Sequence, residues 1–427
     1  MTTPTLLGPV STLQPWSEPN EIIFDFTTGV LDERITINRS SDGTYVDADG
    51  LVKVASAGQP RFDHDPMTGE CIGLLSEGTS TNLVDAHRAW GGGWASSANF
   101  FRTPNAGVSP SGAMDATLYG PVSGQGSFDN GVLRYELNMT PGRYTVSAYF
   151  KAVGATSTVR LLPYLTPACV TGGVIDLRPG ATQGNIIATQ FDGGGAYIGS
   201  DAVMTTVPMR DGWVRVVLTF ACLQAGLFRF RAFPYIGTSQ LTGDGSSGLL
   251  IWGAQIESRG YVSSLIMTNG AQAQRSSEWW SAENLGSVID QSQGTLLVEA
   301  RSLRQSFDAN DYFLSLGQST GSTNSFLIWR ANGLLRGYVN SNGTIAQTAG
   351  DSQVNIRDQF FRAAYAFAQN DQAMSINGKA VQTASGSLPV VPMNTLRSNV
   401  GFDVIFKRAG LLPTRYSNAD LRVLSRL

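Results

Sequence analysis

Three titratable side chains in succession, Asp63, His64 and Asp65, stand in the stretch TYVDADGLVKVASAGQPRFDHDPMTGECIGLLSEGTSTNLV, from Thr44 to Val84. General acid/base catalysis needs two ionisable groups at a fixed separation in a shielded site. Neighbours on a strand point to opposite faces, so only Asp63 and Asp65 can share a side. Asp65-Pro66-Met67-Thr68-Gly69 then supplies the residues of a type I-based turn. PRFDH and ECIGLLSEG can pair across it as a hairpin, with the three residues at its solvated tip. The triplet is therefore read as structure and no catalytic residue is assigned.

Metal chemistry has few candidates. DADG, Asp47 to Gly50, opens like a calcium loop, but the twelfth position is Gly58 where a glutamate is required. An Asp-Gly turn between strands is the expected form. Asp244 in GDG, and Asp308 and Asp311 in DANDYF, can donate oxygens to a structural calcium, or can simply make turns. No other cofactor is expected. Two histidines (His64, His87) and three widely spaced cysteines (Cys71, Cys169, Cys222) give no paired ligand spacing for zinc and no disulfide framework. No serine nucleophile is assigned.

The remaining chemistry is aromatic. Sugars stack their CH faces on Trp and Tyr while nearby Asn, Asp or Arg take the hydroxyls. Trp90 and Trp94 in AWGGGWASSANFF, and Trp279 and Trp280 in SSEWWSAEN, lie in polar, glycine- or serine-rich stretches and are the ligand-binding candidates. The same rings can equally pack against a sandwich edge or a neighbouring chain. Trp213 and Trp252 fall inside strand patterns and are assigned to the core.

The elements that would carry these residues are strands. Tyr144, Val146, Ala148 and Phe150 share one face of GRYTVSAYFKA; Val214, Val216, Leu218 and Phe220 share one face of WVRVVLTFA. In LFRFRAFPYI, Phe228 and Phe230 oppose Arg229 and Arg231. The same period places Leu250, Trp252, Ala254 and Ile256 together in SGLLIWGAQIES. A further set of strand signals starts near residue 285, and YSNADLRVLSRL closes the chain with Ser417 as N-cap of a short helix whose Leu421 and Leu424 face inward. Antiparallel strands with one apolar face must pair sheets to hide it. The expected fold is all-β: an N-terminal arm and hairpin lead-in over 1–83, a jelly-roll sandwich over 84–283, a second sandwich over 284–427, and a short C-terminal helix.

Composition agrees with this class. Charged residues are 15% of 427 and there are 48 glycines, which suits loop-rich β structure. A net charge of −3 without a basic block gives no footprint for nucleic acid. No apolar run approaches the ~20 residues of a membrane span, so membrane insertion is not expected. The first residues, MTTPTLLGPVSTLQPWSEP, lack a basic n-region and an unbroken apolar stretch, and read as an extended arm without a signal peptide.

The segments TYVDADGLVKVA and PRFDHDPMTGECIGLLSEGTSTNL resemble those of a family of bacteriophage virion proteins found among tail fibres and other surface appendages. In that family the string leads into a carbohydrate-binding-module-like jelly roll. GRYTVSAYFKA, GWVRVVLTF and LLIWGAQIESRGYVSSLIMTNGAQAQRSSE look like its strands and exit. The last 140 or so residues resemble a concanavalin/laminin-G-like sandwich. The resemblance implies a structural role for Asp63, His64 and Asp65. It also implies assembly into the virion through the N-terminal arm with other virion proteins as partners, and recognition of a host-surface glycan without enzymatic activity. The odd, widely spaced cysteines point to synthesis in the reducing host cytoplasm, and the gain from multivalency predicts a homotrimer or another repeated array. A decoration protein of capsid or tail without glycan binding is the alternative. A polysaccharide depolymerase ranks below both, since it needs two carboxyls roughly 5–9 Å apart across a groove.

Overall fold

A computed structural model of the chain describes residues 21–96, 98–126, 133–161, 164–166, 168–169, 173–176, 199–223, 225–237, 239–304, 311–318, 323–331, 334–348, 359–398 and 401–427. The expected arm over residues 1–20 lies outside them. The described residues form antiparallel sheets, with one α-helix, Asn418–Leu424. That helix opens as its sequence predicts: Ser417 Oγ accepts from Asp420 N, and Leu421 and Leu424 are buried. It is not long and apolar enough to cross a membrane, nor is any other helix among the described residues.

Two sandwiches result. In the first, a six-stranded sheet runs in the order Gly199–Pro208, Val214–Cys222, Gly142–Val153, Gly248–Glu257, Met114–Pro121, Phe100–Val108. It packs on a second sheet centred on Gly226–Ile236, flanked by Leu133–Met139. Val146, Phe150, Val216, Phe220, Phe228 and Phe230 fill the space between them, as their alternation requires. The strand Gly248–Glu257 departs from a single phase. Leu249, Ile251, Ala254 and Ile256 face this core, while Leu250 and Trp252 face an outer cluster with Tyr149 and Trp213. The cause is a bulge: Gly253 adopts φ +62°, and the register to Gly142–Val153 shifts between Ser147 and Tyr149. The expectation that Leu250, Trp252, Ala254 and Ile256 share one face is corrected accordingly.

The second sandwich is built from both ends of the sequence. Ile22–Asp25 pairs with Val404–Leu412, matching Ile22 to Leu411, and Cys71–Ser76 pairs further along the same strand, matching Ser76 to Val404. Ile35–Asn38 pairs with Trp279–Ala282 in the facing sheet. The segment read as a lead-in is thus, from Ile22 onward, part of the C-terminal sandwich, and the first sandwich is an insertion into it. The apolar side chains of ITIN, FDH and WWSA explain this, since each buries its large side chain in the same core: Ile35, Ile37, Phe62 and Trp280.

Where the chain leaves and re-enters this composite sandwich, Ser80–Asn82 pairs with Ala273–Arg275. Beneath lies a buried ionic network. Arg61 donates to Glu278 from Nε at 3.0 Å and to Glu77 from Nη1 at 2.6 Å. Arg39 pairs with Glu278, and Arg275 with Glu77 at 3.1 Å. Burial alone would raise the Glu77 carboxyl, but Arg275, Arg61 and Ser264 together hold it well below the usual carboxylate range. Burial would likewise lower the Arg61 guanidinium, and Glu278 and Glu77 instead raise it. Arg61 of PRFDHDP and Glu77 of GLLSEG therefore work at the joint between sandwiches.

Candidate functional site

The loop from Asp85 to Gly93 decides which tryptophan meets solvent. Ala89, Gly91 and Gly92 all take positive φ, and the missing side chain of Gly92 makes room for Asp85. Asp85 Oδ2 accepts from Gly93 N at 3.0 Å, and Ala254 N donates to His87 O at 2.8 Å. The tight winding turns Trp94 inward, where its Nε1 donates to Ala86 O at 2.8 Å and its ring meets Tyr135 and Phe230. Trp90 is turned outward and is 44% exposed. Trp280 is fully buried, ringed by Phe24, Phe26 and Phe406 at 5.6–5.9 Å, and Trp279 beside it is half-buried opposite Asn38. Of the four candidate tryptophans, Trp94 and Trp280 are core residues with no face for a ligand, because each lies under a sheet.

Trp90 stands in a groove of about 190 Å³ on the inserted sandwich with Arg88, Asn105, Asp115 and Asn269. Arg88 Nε lies 3.3 Å from Asp115 Oδ2, and Asp115 Oδ1 has no hydrogen-bond partner among the described residues. Arg102 lies 4.7 Å from the centroid of the Trp90 ring and fixes its plane. This combination offers a flat apolar face beside a cation, an acceptor and two amides. Arg88, Asn105, Asp115 and Asn269 were not legible as a set, since they come from separate loops and strands. Only the Gly-rich surroundings of Trp90 signalled the groove.

The metal candidates resolve differently. Asp244 Oδ1 accepts from Ser246 N at 2.7 Å and Ser247 N at 2.6 Å, while Oδ2 accepts from Ser247 Oγ at 2.6 Å. Those bonds, led by Ser247, hold its carboxyl well below the usual range and make it the staple of a turn. Asp311 begins the strand Asp311–Gly317 opposite Arg330. Asp308 lies outside the described residues. Among the described residues no three His, Cys, Asp or Glu side chains gather as a metal site. DADG is an Asp-Gly turn, with Asp47 Oδ1 accepting from Leu51 N at 2.8 Å.

Asp63, His64 and Asp65 follow the predicted hairpin, Phe62–His64 against Cys71–Ser76. Asp65 caps the turn, accepting from Met67 N at 2.9 Å and Thr68 N at 2.8 Å. A register shift between Asp63 and His64 lets both reach one residue: Val46 N donates to Asp63 Oδ1 at 2.8 Å, and His64 Nδ1 meets Val46 O at 2.9 Å. The expectation of a solvated tip fails for Asp63, which sits in a cleft between the two sandwiches. Burial is the largest influence on its carboxyl and pushes it up to about 6.

No family model matches the chain, and no curated protein matches it. Among solved structures, it is similar to the receptor-binding domain of botulinum neurotoxin mosaic serotype C/D at 10% identity, over 34% of this chain and 39% of that one, with a TM-score of 0.29. The chain thus matches well under half of the neurotoxin domain's length. It is similar to the Ruminococcus gnavus IT-sialidase CBM40 bound to alpha2,3 sialyllactose at 13% identity, over 34% and 87%, with a TM-score of 0.29. The T. cruzi calreticulin globular domain gives 11% identity over 34% and 71%, with a TM-score of 0.25. Likeness at this level transfers neither ligand nor partner to this chain.

Proposed function

We propose that the protein is a non-enzymatic surface-appendage protein of a bacteriophage particle, and that it recognises a host-surface glycan through the Trp90 groove. The observation that supports this reading is the meeting of an exposed indole with Arg88, Asn105, Asp115 and Asn269 in one groove. A sugar's CH face stacks on Trp90, and its hydroxyls bond the amides and Asp115. Among the described residues Asp115 is the one carboxylate lining the groove, whereas hydrolysis of a glycosidic bond needs a pair. The virion setting rests on the resemblance of PRFDHDPMTGECIGLLSEGTSTNL, with attachment through the N-terminal residues. A single shallow groove binds weakly, and display as a trimer raises its avidity.

The test is a glycan array probed with the labelled full chain and with Trp90→Ala. Binding should fall about fivefold in the variant, since a sugar-stacking ring contributes on the order of 1 kcal/mol, with the melting temperature unchanged. A blank array, or equal binding by the variant, overturns the reading. Antibody label at tail or fibre tips of purified particles supports host recognition, and label spread over the capsid supports decoration instead.

A further inference from the structure

A cleft of about 480 Å³ lies where the outer face of the six-stranded sheet meets the lead-in hairpin and the composite sandwich. Val203, Val207, Val217 and Ile405 form apolar walls. Polar groups enter from three separate parts of the fold: Asp63 from the hairpin, Arg215 and Thr219 from the sheet, and Arg301 from the composite sandwich. The volume is within the ~300–1,000 Å³ of small-molecule sites.

The charges in this cleft are incompletely used. Arg215 Nη2 donates to Ser147 Oγ at 3.2 Å and to Ser263 O at 2.8 Å, but its Nε has no acceptor. Arg301 lies 5.2 Å from the centroid of the Phe360 ring, and its Nε also has no acceptor. Among the described residues neither arginine has a carboxylate within ion-pair distance. Asp63 Oδ1 accepts from Val46 N, and no described residue donates to its Oδ2. A second cavity at the same junction, of about 420 Å³, is the contrast. There Asp403 takes Arg259 at 2.7 Å, Arg304 at 3.2 Å and the Tyr261 hydroxyl at 2.6 Å, so both arginines have a carboxylate partner within the protein, which Arg215 and Arg301 lack.

Two guanidiniums with spare donors call for an anion, because an unpaired buried donor is costly and a carboxylate relieves it. Asp63 in the same cleft repels a bare anion and rewards a ligand that also carries hydroxyl donors. A nucleotide has both groups, but the two tyrosines of the cleft are already stacked: Tyr149 is 3% exposed with its ring under Arg215, at 5.3 Å, and the Tyr261 ring lies under Arg259, at 3.9 Å. We propose that the cleft between the sandwiches is a second binding site, for a carboxylate-bearing saccharide. Its acid group is held by Arg215 and Arg301 and one of its hydroxyls donates to Asp63. The site is separate from the Trp90 groove and stands without it.

The test titrates the full chain with a panel of uronate- and sialate-bearing oligosaccharides, the methyl esters of the same sugars, and inorganic phosphate. The free acids should bind at least tenfold more tightly than their esters and than phosphate, a comparison that needs no variant. Arg215→Gln and Arg301→Gln should each weaken binding about tenfold, while Trp90→Ala leaves it unchanged. No binding across the panel, equal binding of acid and ester, or phosphate binding as well as the acids would overturn the proposal. So would dependence on Trp90 alone, which would move the ligand to the groove.

Discussion

Arg61 and Glu278 lie 217 residues apart in the chain and form an ion pair in which neither side chain is more than 2% exposed. The pair joins the hairpin segment that precedes the inserted sandwich to the segment that follows it, just before the strand Trp279–Ala282. Both connections of the insertion are therefore fastened at one point, with Arg39, Glu77 and Arg275 completing the network. Each sandwich has its own core. The network is what makes the junction depend on both.

Removing Glu278 should expose that dependence. Glu278→Ala leaves Arg39 and Arg61 buried beside one fewer counter-charge, and breaking such a pair costs about 3–5 kcal/mol. Chemical denaturation should record a loss of that size. The double variant with Arg61→Met should lose less than Glu278→Ala alone, because one stranded charge is removed with its partner. A loss below about 1 kcal/mol for the single variant would mean that water reaches the site.

Glu77 gives the joint an acid dependence. Its carboxyl is held well below its value in an unfolded chain, near 4.5, after Arg275 and Arg61 outweigh the burial that opposes them. A depressed carboxyl contributes stability that is complete above the unfolded value and is lost as pH falls toward the folded one. Stability should be level with respect to this group above pH 4.5 and decline below it. The difference between wild type and Glu77→Gln should shrink over the same range. Denaturation midpoints measured from pH 7 to pH 3 check both, and a difference that stays constant would remove Glu77 from the account.

Asp63 has the opposite sign. Burial raises its carboxyl to about 6 from 3.8, with Glu77 adding to the rise and the Val46 N–H, Arg61 and Arg301 opposing it. His64, Asp65, Tyr149, Arg215 and Tyr261 are the other titratable groups around the cleft among the described residues. The folded state holds this proton more tightly, so the carboxyl lowers stability as pH climbs from about 4 to 6, and the cost is complete above that. Asp63→Asn keeps an acceptor for Val46 N and should stabilise the protein at pH 7.5 by at most about 3 kcal/mol. The gain should vanish at pH 4. A variant less stable at every pH would show that the carboxylate is better solvated than its place between the sandwiches implies.

Legibility in the sequence followed the range of the interaction. Strand faces such as Val146 to Phe150 and Val214 to Phe220 were readable because alternation is local, and so were the turn at Asp65 and the cap at Ser417. Pairings such as Ile22 with Leu411 were not, because no local pattern encodes a partner at the far end of the chain. The insertion was hidden for the same reason. Trp90 and Trp94 sit in one glycine-rich string, yet the positive φ at Ala89, Gly91 and Gly92 sends one out and the other in. Asp63 looked like a turn residue until a sheet from a different sandwich closed over it.

Gly253 shows how one residue can set a face, and it yields the most local test. Its φ of +62° is a conformation that glycine adopts freely and L-residues avoid, and a Cβ there would come within 2.6 Å of the Tyr149 ring. Tyr149 has little room to retreat, being packed against Trp252 at 5.5 Å between ring centroids, with Arg215 also against its ring. Gly253→Ala should therefore cost about 1–3 kcal/mol from backbone strain, with the crowding of Tyr149 adding to it. Denaturation followed by tryptophan fluorescence measures the loss. The same change at Gly270, which also has positive φ but nothing within 4 Å of an added Cβ, should cost only the backbone part. Equal losses at the two positions would show that the bulge can relax around Tyr149. A larger loss at Gly253 would show that the bulge, with Leu250 and Trp252 on one side and Ala254 and Ile256 on the other, is fixed by packing on both faces of the sheet.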